Sequence, residues 1–577
     1  MSLNSVIRKY VLKNAFDYGT ANAGAVVGKV IAEYPDCKND MKKTMQVIKD
    51  EITRTSKMSK SEIENEMNHF EYVEKKEEKK GIEVEGAEDG KVVVRYPPEP
   101  NGWPHIGHAK AFCLSWSIAR KYNGKVILRW DDTNPEAEKP EFIDAIKNGV
   151  RWVGLDWDEE KYCSDYLPQM YELCEKLLKQ CDAYFCTCTQ EKISKGREDK
   201  VRCECGLNHQ NENLKGWQQM LDGSIPEGGG IIRMRGDMWS DNTVMRDPTL
   251  FRIITTPHYR QGKKYRVWPT YDFQGAVMDS ILDITHPIRS KEYELRDELY
   301  VYLLKKLGLH VPQMISISRL AIKNAPISKR LLRPLVEGGK LWGWDDPRLP
   351  SLAGLKRRGI LPAAIREFVL SFGISKVESE PGWESLLAEN RKLLDPDSPH
   401  YFFVPNPVKL IIENLEEKQI ELKLHPKKNL GSRPIQVTKT VYVPESDVKQ
   451  IKEGEVFRLK DLCNVKLTKK GEVLTGQVMH DEMVEKKIQW VSEDYLTCEV
   501  YTPKDLLNAK GEFDEKSLEV VKGYCEANCA GLMPDTMIQF ERFGFCRLDE
   551  MPSMVQCAKP GPLRNSQATP LKFIFTC

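Results

Sequence analysis

KVVVRYPPEP at 91 to 100, AKAFCLSWSIARKYNG at 109 to 124 and KVILRWDDTNP at 125 to 135 constrain the fold more than any other part of this chain. The first and third are apolar, β-branched runs that stop at prolines or polar residues, as buried strands entering loops do. Between them the apolar positions recur at helical spacing and Gly124 closes the segment. Strand, loop, helix and strand in that order form a βαβ unit, which requires a parallel sheet with its ligand crevice at the strand ends.

The surrounding chain divides around this unit. At 577 residues and 66.3 kDa it exceeds what one core can bury and splits into roughly three to five domains. Residues 1 to 75 place Val6, Ile7, Tyr10, Val11, Ala15, Met45, Ile48 and Ile52 at helical spacing, and the charged run at 76 to 90 reads as a solvated linker. From 396 to 577 short alternating stretches such as RPIQVTKTVYVPE and GEVFRLKDLCNVKLTKKGEV predict antiparallel sheet closing into barrels. The fold class is therefore multidomain α/β plus all-β, behind an N-terminal helical domain.

Composition excludes several functions. Charged residues make up 30% of the chain, yet the formal net charge is only +1, so any nucleic-acid contact must come from local basic patches. The N-terminal stretch lacks a signal-peptide core, and no apolar run approaches the ~20 residues of a membrane span, which points to a soluble cytoplasmic protein. Sixteen cysteines without a secretory start are better read as reduced thiols plus a metal site than as a disulfide framework. No GxxxxGK[ST] loop is present, and AGAVVGK at 23 to 29 lacks its first glycine and hydroxyl.

A phosphate site is better sought in PPEPNGWPHIGHAK, 97 to 110, where His105 and His108 flank Gly107 at a helix opening. A bare HxxH is more often two surface histidines; the strand before it and the helix after it favour the ligand reading. A second cluster pairs Cys186 with Cys188 and Cys203 with Cys205, with His209 just beyond. Four such thiolates can close tetrahedrally on Zn²⁺, His209 being an alternative to Cys205 and free thiols the alternative to metal. SKMSKS at 56 to 61 lies in the helical segment, where Ser61 and Glu64 have the spacing of a capping box.

HIGH at 105 to 108 after RYPPEPNGWP resembles the first signature of class I aminoacyl-tRNA synthetases. LRWDDTNPEAEKPEFIDAIKNGVRWVGLDWD, VWPTYDFQGAVMDSILDITHPIRSKEY and GWDDPRLP are similar to the glutamyl and glutaminyl subgroup, and the β-rich tail beginning HYFFVPNPVKLII resembles the paired barrels of its glutaminyl and archaeal or eukaryotic glutamyl members. ISKR at 327 to 330 resembles the second signature and stands in its place downstream of HIGH; the perfect KMSKS string does not. The resemblance implies a Rossmann-type core over 91 to 165 and 267 to 319, and an inserted acceptor-end domain over 166 to 266 holding the cysteines. It also implies a stem-contact region over 320 to 395 and paired anticodon-binding barrels over 396 to 577.

Residue by residue, the resemblance implies that Pro97, Glu99, His105, Gly107, His108, Arg319, Ser328, Lys329 and Arg330 bind ATP. His105, His108 and Lys329 would stabilise charge on the phosphates. Arg95 would take the substrate α-carboxylate, Asp131 the α-amino group, and Tyr271 with Arg289 the side chain, an arginine there selecting glutamate over glutamine. The implied activity is ligation of L-glutamate to tRNA(Glu), using ATP and Mg²⁺ and with no membrane or DNA partner; whether tRNA(Gln) is a further acceptor is left open by the sequence. A glutaminyl enzyme and a catalytically silent RNA-binding relative are the alternatives.

Overall fold

The computed structural model describes residues 2–18, 20–70, 82–479, 484–550 and 569–577. The chain forms two compact units, Met1–Gly81 and Ile82–Cys577. In the first, helices Leu3–Tyr18, Ala23–Glu33, Met41–Thr55 and Lys60–Met67 bury Val6, Ile7, Val11, Val26, Val30 and Ile48. The AGAVVGK stretch thus serves packing. The capping box is Ser59 with Glu62, not Ser61 with Glu64: Ser59 N donates to Glu62 Oε2 at 2.7 Å, and Glu62 N donates to Ser59 Oγ at 3.4 Å. The helix starts at Lys60, so Ser61 is already inside it and cannot be the residue whose backbone turns out of the helix.

The second unit opens on a segment that is less solvated than its charge predicts. Ile82, Val84 and Ala87 pack against the core, and Gly90 N donates to Tyr122 O at 2.8 Å; residues 76–81 of the charged run lie outside the described residues. Strands Val93–Tyr96, Lys125–Trp130 and Glu159–Tyr162 then pair in parallel. Helix Ile106–Lys121 covers them with Phe112, Leu114 and Ile118, so the βαβ expectation holds with somewhat different helix ends. A second parallel pair, Ile288–Ser290 with Ile315–Ile317, is stitched to the first strand where Thr285 N and His286 N both donate to Val93 O.

Between these halves lies a four-stranded antiparallel sheet, Ala183–Cys186, Ile231–Met234, Thr249–Ile253 and Val267–Pro269, with helices Leu167–Lys179 and Gln210–Asp222 on its core. Past the nucleotide half come helices Lys329–Glu337, Leu352–Arg358, Pro362–Ser371 and Trp383–Leu394. Two seven-stranded, barrel-like sheets follow. They are mixed, not purely antiparallel: Pro407–Ile412 runs parallel to Leu474–Met479, and Leu496–Pro503 parallel to Leu571–Phe575. Phe403–Pro405 pairs with Leu518–Cys525, so the C-terminal sheet borrows a strand from before the other one.

Candidate active site

The crevice at the C-terminal ends of the parallel strands is built by the PPEPNGWPHIGH loop. His105 is the N-cap of helix Ile106–Lys121, and its Nδ1 accepts from Gly107 N at 3.1 Å, while His108 Nδ1 accepts from His105 N at 3.2 Å. With Nδ1 used as acceptor, each ring carries its hydrogen on Nε2. The rings lie close and tilted, with centroids 3.9 Å apart. Burial, then the neighbouring Lys329, pushes His108 down to about 4, and burial with His108, Arg319 and Lys329 pushes His105 well below its ordinary value. Both imidazoles are therefore neutral hydrogen-bond donors at neutral pH, not cations. A Cβ on Gly107 would lie 3.2 Å from Leu320 O, so a small residue lets the helix start approach the ISKR half.

Lys329 begins helix Lys329–Glu337 and its Nζ donates to both Asn101 O and Asn101 Oδ1. A Cβ at Gly102 would come 2.0 Å from Lys329 Cε, so this glycine lets the lysine lie across the loop. The ISKR lysine thus meets the HIGH loop across 228 residues of chain. Ser328 is its N-cap position, Arg330 is exposed, and Arg319 stands 3.8 Å from Glu292. Pro97 is half-buried and Glu99 is exposed on the same loop. GWDDPRLP closes the loop from below, with Ile106 N donating to Pro350 O at 3.0 Å and Leu352 N to Pro104 O at 2.9 Å.

Beside this crevice is a small pocket whose wall includes Arg95, Tyr271, Asp279, Arg289 and Tyr300. Its charges are already paired. Arg95 donates from Nε to Asp279 Oδ1 at 2.8 Å and from Nη1 to Ile288 O at 2.8 Å. Asp279 also takes Arg129 Nη1 at 2.5 Å and Tyr300 Oη at 2.9 Å. Burial alone would raise that carboxyl, but the two guanidiniums hold it below its ordinary range. Asp131 accepts from Arg129 Nε at 2.7 Å and Gln274 Nε2 at 3.0 Å. Tyr271 lies tilted against Tyr293, centroids 5.0 Å apart.

Arg129, Asp279, Asp272 and Arg296 escape a motif-based reading, yet a charge inside an apolar strand (KVILRW) or helix (AVMDSI) is a signal that could have found the first two. A further buried group links the loop after Lys125–Trp130 to the inserted sheet. Asp132 accepts from Ser164 N at 2.8 Å and Tyr259 Oη at 3.1 Å, and Glu138 Oε2 lies 3.2 Å from His258 Nε2. Burial pushes Asp132 up to about 7 and Glu138 up to about 8.

In the inserted region the Sγ atoms of Cys186, Cys188, Cys203 and Cys205 all lie within 4.8 Å of one another, and no disulfide joins them. Cys186 to Cys203 and Cys188 to Cys205 are each 3.8 Å, the edge of a tetrahedron with Zn–S near 2.3 Å, so the donor set fits Zn²⁺. Arg233 Nη1 at 3.5 Å and Tyr184 Oη at 3.7 Å face Cys203 and favour its thiolate against burial. His209 is not in the set; it precedes helix Gln210–Asp222, its N–H donating to Glu212 Oε2 at 2.7 Å.

Residues 91–396 match the model for tRNA synthetases class I (E and Q), catalytic domain, and 398–483 and 487–549 match two anti-codon binding domain models of the same group. The chain is 43% identical over 553 residues to a glutamate–tRNA ligase of Nitrosopumilus maritimus, covering 94% of this chain and 97% of that one. It is 40% identical to the corresponding ligase of Cenarchaeum symbiosum, over 94% and 96% of the two chains. A solved glutamate tRNA ligase from Elizabethkingia meningosepticum is 20% identical over 53% of this chain and 70% of that chain, with a TM-score of 0.39. On the family models and the near full-length relatives, the chain belongs to the class I tRNA synthetases of the E and Q group.

Proposed function

We infer that the chain is an ATP-dependent ligase that joins glutamate to tRNA. The observation that carries the choice of amino acid is Arg289 in the wall of the same small pocket as Arg95. A substrate with a carboxylate at each end fits two buried guanidiniums, whereas glutamine would offer no charged acceptor to the N–H groups of Arg289 that Asp297 does not hold, a loss of about 1.5–3 kcal/mol per charge-assisted bond.

In this reading Arg95 takes the α-carboxylate, Asp131 the α-amino group, and Tyr271 with Arg289 the side chain. Binding exchanges contacts in a wall that is already paired. An α-carboxylate oxygen attacks the α-phosphorus of ATP, the bond from that phosphorus to the bridging oxygen breaks, and pyrophosphate leaves. His105 and His108 donate as neutral Nε2–H groups. Lys329 moves from Asn101 to the phosphates as charge develops there, helped by Ser328, Arg330 and Arg319. Pro97, Glu99 and Gly107 shape the backbone under the nucleotide. The terminal ribose hydroxyl of tRNA then attacks the acyl carbon and AMP departs. Mg²⁺ bound with ATP supplies further charge neutralisation. Zn²⁺ held by Cys186, Cys188, Cys203 and Cys205 would tie two loops of the inserted region, and its role there is structural.

The reading places the enzyme in the cytoplasm; no helix among the described residues is long and apolar enough to cross a membrane. tRNA(Glu) is the expected acceptor. Pyrophosphate exchange with glutamate, run with and without tRNA, tests the activity, and charging purified tRNA(Glu) and tRNA(Gln) in parallel tests the acceptor. Exchange with glutamine alone would indicate the glutaminyl reading. No exchange under any condition would refute the ligase.

A further inference from the structure

Arg289 is held from outside the pocket it lines. Its Nη1 donates to Asp297 Oδ1 at 2.6 Å, and Asp297 is not part of the pocket wall. Met314 Sδ lies 3.6 Å from the same nitrogen, and the Tyr300 ring centroid is 5.0 Å from Arg289 Cζ. The acids that do line the pocket have other partners: Asp279 holds Arg95, Arg129 and Tyr300, and Asp272 holds Arg296. Released from Asp297, a buried guanidinium would turn to these carboxylates, because a buried cation without a partner is strongly disfavoured. It would then face its own wall and not a ligand.

We propose that Asp297 is a positioning residue for amino-acid selection, fixing one edge of the Arg289 guanidinium so that its remaining N–H groups are left for the side-chain carboxylate of the substrate. The proposal rests on the reading of Arg289 as the side-chain selector. Asp297 also repels a substrate carboxylate, but over a longer distance than Arg289 attracts it, so orientation sets the net effect. Its position at the start of helix Asp297–Leu307 gives it a rigid base.

The test compares Asp297→Ala, Asp297→Asn and Arg289→Cys in the full chain, measuring kcat and KM for glutamate, kcat/KM for glutamine, KM for ATP, and the melting temperature. Asp297→Ala is expected to raise the glutamate KM about tenfold, with kcat changed less than about threefold and the glutamate-over-glutamine ratio falling by the same factor. Asp297→Asn, which keeps an acceptor without the charge and suits a helix start, is expected to fall between the two. A purely structural role would instead lower the melting temperature and kcat and move the KM for ATP as well, which overturns the proposal. So does a folded Asp297→Ala whose glutamate KM stays within about twofold of the parent while Arg289→Cys loses glutamate preference. If Arg289→Cys also leaves that preference intact, the selector reading itself fails and this inference with it.

Discussion

Glu138→Gln removes a proton site that should make the turn after Asp131 lose stability in mild alkali. Glu138 is 5% exposed, its Oε1 accepts from Asn134 N at 2.6 Å, and its Oε2 has no well-aligned donor although His258 Nε2 is 3.2 Å away. Burial raises the group to about 8, against about 4.3 in an unfolded chain. The folded state therefore binds the proton over a range where the opened state has lost it, and stability must fall as pH rises from the lower value through the upper one. Integrated between about pH 6 and about pH 8.5, the loss is about 2.5 kcal/mol, or roughly 70-fold in the local opening equilibrium. Hydrogen exchange of the Asn134–Glu138 turn, corrected for the intrinsic pH dependence of exchange, reads this directly. The parent should lose protection across that interval by about this much more than the Gln variant, in which Asp132, itself raised to about 7, still titrates. Part of what keeps Asp132 raised is the Glu138 carboxylate itself, so the difference between parent and variant reports Glu138 together with its effect on Asp132. Parallel loss of protection in parent and variant would refute the assignment of the buried proton to Glu138.

Lys329→Ala is expected to lower kcat for aminoacylation by about 100-fold or more, whereas Lys60→Ala should stay within about twofold of the parent; equal effects, measured side by side, would show that the wrong lysine had been placed at the phosphates. For the cysteine set, elemental analysis of freshly purified protein should find about one zinc per chain, with a clear drop in Cys188→Ser. A metal-free parent would reduce the cluster to four neighbouring thiols.

How much of this was legible beforehand differs between elements. The βαβ unit was, because a buried parallel strand must be apolar on both faces and an amphipathic helix must follow at its own period. The HIGH loop and the four cysteines were too, since each is a short local string. The capping box was misplaced by two residues: SKMSKSEIENE offers two serines, each three residues before a glutamate, and only packing in the helical unit decides which turn begins the helix. The charged run before the core read as linker because its few apolar residues are sparse, yet Ile82 and Val84 find a groove that no local pattern encodes.

The sequence by itself determined the family, the strand and helix types of the core, the chemistry of the crevice loop and the candidate selector Arg289, because each depends on residue type and on spacing within one short segment. Only the tertiary structure decided which charges meet. It set Lys329 on Asn101 and Arg95 on Asp279, 184 residues away, and it put Asp297 on Arg289 from outside the pocket. It also made both signature histidines neutral, since their protonation follows from burial and from a lysine brought in by the other half of the fold. Such pairings lie beyond local reading because Coulomb energy and desolvation depend on distance and burial in three dimensions, and chain separation carries neither.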